Sequence, residues 1–293
     1  MKYLIYISIF IIFIIIIRLI DLTLYGALHK YYFFEKPSQD IEIVKKYNIN
    51  PHQKKIISVS LFGKNNFYFN SASKMLDDIP VYFPGWTLRI YIHYLCDPNI
   101  IKQFIEKGAQ IVVIKQDDVT PSDCTFWRFL VAQDDVIFIC RDVDYQLNRE
   151  DYELTEKWIR EDNTNFFKYI FFFHYPVFVY NVAVKLLGNG FFAAGRWGGR
   201  NRCVPDMLDQ INNFKKRRHW HSDEVFLQNI VNEKYVKNQG ISVFLQNKGK
   251  DLRKYFQDDK TKLHVLPDTI NLDQYDFNAN REKNVGKLFE YYE

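Results

Sequence analysis

The chain has 293 residues, of which 47% are hydrophobic, 17% aromatic and 25% charged, with a formal charge of +4. Such a composition can bury a core and excludes a disordered protein, and the length fits one large catalytic domain or two small ones. The lysines and arginines are few in excess and scattered, which excludes a nucleic-acid-binding module.

Tyr3 to Ile17 is an uninterrupted apolar run, and Leu19 and Ile20 extend it past Arg18 to about the length that spans a bilayer. It reads as a transmembrane signal anchor over 1–21, because Gly26-Ala27 is followed by Leu28, His29 and Lys30, a poor cleavage context. Residues 22–54, with Pro37, Ser38, Asn48, Asn50 and Pro51, read as a stem. The expected topology is single-pass, type II, with the catalytic domain lumenal in a Golgi- or ER-like compartment. Flanking charge leaves that orientation ambiguous, and the chemistry below selects it.

The expected catalytic domain covers 55–245. Lys55 to Phe62 is a predicted strand opening into Gly63-Lys64-Asn65-Asn66, a turn that lets backbone approach a ligand at Phe62 and Gly63. A short helix over Asn70 to Asp77, a strand over Trp86 to Tyr94, a helix over Pro98 to Lys107 and a strand over Ala109 to Ile114 follow. Thr125 to Gln133 is a predicted helix, Val136 to Cys140 a strand, Arg149 to Arg160 a helix and Lys168 to Phe173 an aromatic strand. Ser222 caps a further helix, and 246–293 is a C-terminal extension. Alternating strands and helices give an α/β domain, a Rossmann-like, mostly parallel sheet covered on both faces. Cys96, Cys124, Cys140 and Cys203 form no zinc pattern, and Cys140 reads as a buried free thiol. Lys215, Lys216, Arg217 and Arg218 read as a solvated helix end, with a basic patch as the alternative.

The chemistry concentrates where Val136 to Cys140 ends in Arg141-Asp142-Val143-Asp144. Open α/β sheets bind ligands at the carboxyl ends of their strands, and Mg²⁺ or Mn²⁺ takes one or two carboxylates plus phosphate oxygens. Asp142 and Asp144 therefore suit a metal–diphosphate complex, against the alternative of a solvated acidic turn. Arg128 and Arg141 are candidates for charge-assisted bonds to a leaving group. Equally, Arg128 fits a helix surface and Arg141 a strand-end ion pair with Asp142. Asp223 and Glu224 are the candidate general bases for an acceptor hydroxyl, or else a favourable acidic first turn of a helix. Gly195, Trp197 and Gly198 make either a loop whose backbone and indole meet a sugar or a glycine-rich turn around a core Trp. His174 is either a metal or acceptor contact or a structural residue beside Pro176.

Taken in order, Ile57 to Gly63, Tyr82-Phe83-Pro84-Gly85-Trp86, Phe126-Trp127-Arg128-Phe129, Arg141-Asp142-Val143-Asp144, Trp158-Ile159, His174-Tyr175-Pro176 and Ala194-Gly195-Arg196-Trp197-Gly198 resemble a little-described bacterial and viral group of GT-A glycosyltransferases. The resemblance spans about Lys55 to Ile230. It departs at Tyr145, where serine is common, and at His174-Tyr175-Pro176, which replaces a more charged turn. It implies a nucleoside-diphosphate sugar as donor, Mn²⁺ or Mg²⁺ as cofactor, and a glycan, glycoprotein or glycolipid acceptor. It also implies Asp144 as direct metal ligand, Asp142 near the ribose, the sugar or a metal-bound water, and Asp223 as the better placed base. The rival functions are a metal-dependent nucleotidyl or phosphoryl transferase and a non-catalytic, membrane-tethered sugar-binding protein.

Overall fold

A computed structural model describes residues 37–171, 193–218, 222–246 and 261–266. Among the described residues nine strands form one sheet: β1 (Glu42–Tyr47), β2 (Lys55–Leu61), β3 (Thr87–His93), β4 (Gln110–Lys115), β5 (Ile137–Cys140), β6 (Phe166–Phe171), β7 (Trp197–Gly199), β8 (Ile241–Gln246) and β9 (Thr261–Leu266). Their spatial order is β1-β4-β3-β2-β5-β7-β6-β8-β9. The chain runs β2 to β3 to β4 in one direction and then places β5 on the other side of β2, all parallel. That reversal is a topological switch point, and it opens a crevice at the carboxyl ends of β2 and β5. β7 runs antiparallel between β5 and β6, and β1 runs antiparallel along β4.

Because strand side chains alternate, a strand buried on both faces reads as continuous apolar sequence. On one face, Ile57, Val59 and Leu61 of β2 and Leu88, Ile90 and Ile92 of β3 pack with three helices. These are α1 (Asn66–Tyr82), through Ala72, Met75 and Ile79, α2 (Pro98–Glu106), through Phe104, and α4 (Arg149–Glu161), through Leu154 and Trp158. On the other face lie the short α3 (Pro121–Cys124), a 3₁₀ helix (Trp127–Gln133), α5 (Met207–Asn213), α6 (Ser222–Phe226) and a π-helix (Leu227–Val236), followed by the short α7 (Lys237–Gln239). Their buried Trp127, Phe129, Met207, Ile211, Phe226, Leu227, Val231 and Val236 form the second core.

The structure revises several expectations. The helix expected over Asn70 to Asp77 starts at Asn66, because the Asn65 side chain caps it through Phe67 N–H at 2.9 Å, and it runs on through Pro80 to Tyr82. Residues expected to be stem include β1. Half of its sequence, Glu-Ile-Val-Lys-Lys-Tyr, is charged, as suits an edge strand paired on only one side. The glycine-rich segment expected as a loop is β7, and β8 with β9 carries the sheet into the expected C-terminal extension. The basic run divides: Lys215 and Lys216, just after α5, are exposed as a solvated helix end would be, whereas Arg217 is fully buried and Arg218 pairs with Asp118. Cys140 is a buried free thiol, as expected. The expected transmembrane helix lies outside the described residues, and among the described residues no helix is long and apolar enough to cross a membrane. The single-pass, type II, lumenal assignment is corrected accordingly.

At the amino ends of β6, β8 and β9 a polar knot ties the far edge of the sheet together. Asp162 accepts from Ser242, from His264 Nε2 at 2.9 Å and from Lys262 Nζ at 3.4 Å. Burial pushes the Asp162 carboxyl up, but the Ser242 and His264 bonds outweigh it and hold the group below its ordinary value. A depressed folded pKa gives stability that is present above the unfolded value and lost as pH falls through the folded one. Asp162→Asn is therefore expected to cost about 1–3 kcal/mol at neutral pH. The difference from the parent should vanish in acid, as urea unfolding at the two pH values will measure.

Candidate active site

The crevice at the switch point is built from the ends of β2 and β5 and from the 3₁₀ helix. β2 carries two serines among its apolar residues, and their positions explain them. Ser58 Oγ donates to Arg128 O at 2.7 Å, and Ser60 Oγ accepts from Arg128 N–H at 3.0 Å. Both serines are buried and face the 3₁₀ helix, so the strand fixes the Arg128 backbone directly. The Arg128 guanidinium then reaches along the edge. Its Nη1 donates to Asp142 Oδ1 at 2.5 Å and to Arg141 O at 3.3 Å, and its Nη2 donates to Asp223 Oδ2 at 3.3 Å. Arg128 is buried, with the guanidinium 5.5 Å over the Phe129 ring, so the helix-surface alternative does not hold. Burial alone lowers its pKa, yet the two carboxylates outweigh this and keep it charged.

Asp142 and Asp144 sit in a tight turn after β5, closed by Tyr145 N–H to Asp142 O at 3.0 Å. Both are half-buried, while Val143 between them is buried. Asp142 Oδ2 lies against Gly195: a Cβ there would stand 2.3 Å from that oxygen. Asp223, at the start of α6, is 14% exposed. Burial pushes its carboxyl above the ordinary carboxylate range, Arg128 opposes the rise, and Glu224 and Asp142 add to it. A base raised toward working pH is better matched to proton abstraction.

Arg141 belongs elsewhere. It forms a bidentate ion pair with Asp151 of α4, at 2.7 and 3.1 Å, with both side chains 1% exposed. Its sequence neighbour Asp142 is not its partner because Asp151, capped by Asn148 at 2.8 Å, comes up from the helix below. Trp197 is fully buried edge-on between Phe129 and Phe138, which makes its indole part of the core and leaves no face for a sugar. Gly198 is packed just as closely, since a Cβ there would meet Phe138 O and Phe167 Cε1, each at 2.2 Å. Phe62 packs edge-on against Trp127, with centroids 6.1 Å apart, and Gly63 takes a positive φ of 78° at the mouth of the crevice. Glu224 is half-buried beside Asp223. His174 lies outside the described residues.

Sequence reasoning missed Ser58 and Ser60 as supports of Arg128. The available signal was two hydroxyls on one face of a strand whose other neighbours are all aliphatic. It also missed Asp151, whose signal was a carboxylate in the first turn of an otherwise amphipathic helix.

No protein-family model and no curated protein matches the sequence. Among solved structures the chain is similar to a mannosyltransferase from Pyrobaculum calidifontis in complex with GDP-Man and Mn²⁺, at 13% identity and a TM-score of 0.40, covering 84% of this chain and 65% of that one. The chain thus spans a little under two thirds of that mannosyltransferase. It is also similar to the galactosyltransferase LgtC in complex with donor and acceptor sugar analogues, at 14% identity and a TM-score of 0.43, covering 82% and 96%. A third similarity is to glucosyl-3-phosphoglycerate synthase from Mycobacterium tuberculosis in complex with UDP, at 10% identity and a TM-score of 0.34, covering 69% and 75%.

Proposed function

We propose that this chain is a metal-dependent glycosyltransferase that moves a sugar from a nucleoside diphosphate to a hydroxyl of a glycan, glycoprotein or glycolipid. The observation that carries the reading is Arg128 joining Asp142, at the end of β5, to Asp223, at the start of a helix 81 positions later in the sequence (223 − 142). A carboxylate pair at a strand end and a second, buried carboxylate face one crevice, with a fixed cation between them. That is the division needed for a transfer in which one group holds the leaving diphosphate and another takes the acceptor proton.

The donor set fits a hard divalent ion. Among the described residues no cluster of three or more His, Cys, Asp or Glu forms a metal cage, but Mg²⁺ and Mn²⁺ take only one or two carboxylates when phosphate supplies the rest. Asp144 would ligate such an ion directly. Asp142, with one oxygen on Arg128 and the other against Gly195, would approach it from a fixed position. The ion would supply Lewis-acid stabilisation of the departing diphosphate.

The chain's own residues do the rest. Arg128 holds Asp142 and balances the charge of Asp223 until an acceptor hydroxyl arrives beside it. Asp223 then accepts the hydroxyl proton, with Glu224 adjacent as a second carboxylate. Gly63, free to adopt a positive φ, lets backbone approach the nucleotide at the end of β2.

The test is nucleoside-diphosphate release from a panel of sugar nucleotides with Mn²⁺ or with EDTA. Release from one donor that EDTA abolishes is the expected result. Release undiminished in EDTA would remove the metal from the mechanism, and transfer of phosphate or nucleotide into the product would establish the phosphotransferase alternative.

A further inference from the structure

Asp123 is among the buried carboxylates that the site does not use. Asp123 is fully buried, and its Oδ2 accepts from both the N–H and the Oγ–H of Thr120 at 2.9 Å, closing a capping box at the start of α3. Its other side faces Arg217 and Arg218: Arg217 Nε stands 3.8 Å from Oδ1, and Arg218 Nε stands 3.6 Å from Oδ2. Neither Nε atom nor Asp123 Oδ1 makes a hydrogen bond, so the contact is one of charge around a buried carboxylate. Arg217 also donates to the carbonyls of Ile211, Phe214 and Gln39, and its own carbonyl accepts from Ser222 Oγ at 2.6 Å.

These contacts close a ring. Asp123 fixes the helix that leads directly into the 3₁₀ helix bearing Arg128. Arg217 fixes Ser222, the residue before Asp223. The fourth side of the ring is the Arg128–Asp223 pair itself. Capping alone does not require two arginines around a carboxylate already bonded to Thr120, and burying Arg217 beside the partly buried Arg218 costs desolvation unless a fixed anion offsets it.

We propose that Asp123 is a positioning residue, which through Arg217 and Arg218 sets the separation of Arg128 and Asp223. The proposal rests on the reading of Asp223 as the base, and its test is chosen so that either can fail alone. Asp123→Asn keeps the cap and loses the charge. Arg218→Gln, at a residue that is only partly buried, is the companion variant if the first fails to fold. Hydrogen exchange of the full-length chain is expected to rise about tenfold in peptides covering 222–226, with those of β2, β3 and β4 unchanged. Donor hydrolysis with Mn²⁺ is expected to lose about tenfold or more in kcat, with KM for the donor unmoved, because small misplacements of reacting groups are costly. Unchanged exchange over 222–226, or a rise shared equally with β2 to β4, overturns the proposal. A parent protein that releases no diphosphate from any donor overturns the transferase reading only, and the exchange result still decides the role of Asp123.

Discussion

Replacing Arg128 with Met is expected to lower donor turnover about 10³-fold and to cost about 3 kcal/mol of stability. Arg128 is the buried cation between two carboxylates, and Met keeps most of its volume while removing the charge. The stability loss sits at the low end for a broken buried pair because Asp142 is 36% exposed and regains some hydration. The kinetic loss has two sources: Asp142 loses the bond that fixes its Oδ1, and Asp223 loses the charge that does most to oppose its raised pKa. The sign follows directly. With only the Thr125 hydrogen bond left to oppose burial, Glu224 and Asp142, the Asp223 carboxyl rises further, so the acid limb of the pH–rate profile moves to higher pH. Arg128→Lys distinguishes charge from geometry, since an ammonium supplies the charge but not the planar fork that reaches both acids. It is expected to recover part of the stability and little of the turnover. Urea unfolding and pH-dependent diphosphate release measure both quantities, and a loss of turnover below tenfold would reduce Arg128 to a structural ion pair.

The parts of this fold that were legible in the sequence are those in which local pattern and tertiary role agree. β2, β3, β4 and β5 are rich in aliphatic residues and bounded by turn residues, so their places follow from composition, and the acidic pair at the tip of β5 follows with them. The edge strand β1 was not legible because half of its residues are charged and they do not alternate with the apolar ones. β7 is three residues long and holds two glycines, which local propensity assigns to a loop. What makes it a strand is external: Phe138 of β5 and Phe167 of β6 close over Gly198 from either side and leave no room for side chains. The pairings within the site were hidden for another reason. Arg128 meets Asp223 across 95 positions of sequence, and Arg141 chooses Asp151 over its neighbour Asp142, choices set by how elements stack and not by spacing along the chain.

The two glycines on either side of Trp197 are expected to behave oppositely when each is changed to Ala, although the sequence presents them as one motif. At Gly195 a Cβ would stand 2.3 Å from Asp142 Oδ2, 2.7 Å from its Cγ and 3.1 Å from its backbone N. The carboxylate cannot simply rotate away, because Arg128 holds Oδ1, so the added methyl displaces the acid that faces the crevice. Gly195→Ala is therefore expected to lower metal-dependent turnover by about 10²-fold, while costing only about 1–3 kcal/mol in strain. At Gly198 the obstructing atoms are the Phe138 carbonyl oxygen and the Phe167 ring, each at 2.2 Å, which are the ladder and the core themselves. Gly198→Ala has to part β7 from its neighbours, and it is expected to lose soluble folded protein or to unfold at much lower urea, with activity falling only in step with folded fraction. Measuring turnover per folded molecule separates the cases. A Gly195→Ala protein with normal turnover per folded molecule would mean that Asp142 need not stay where Arg128 and Gly195 hold it, and would leave Asp144 alone to carry the site at the tip of β5.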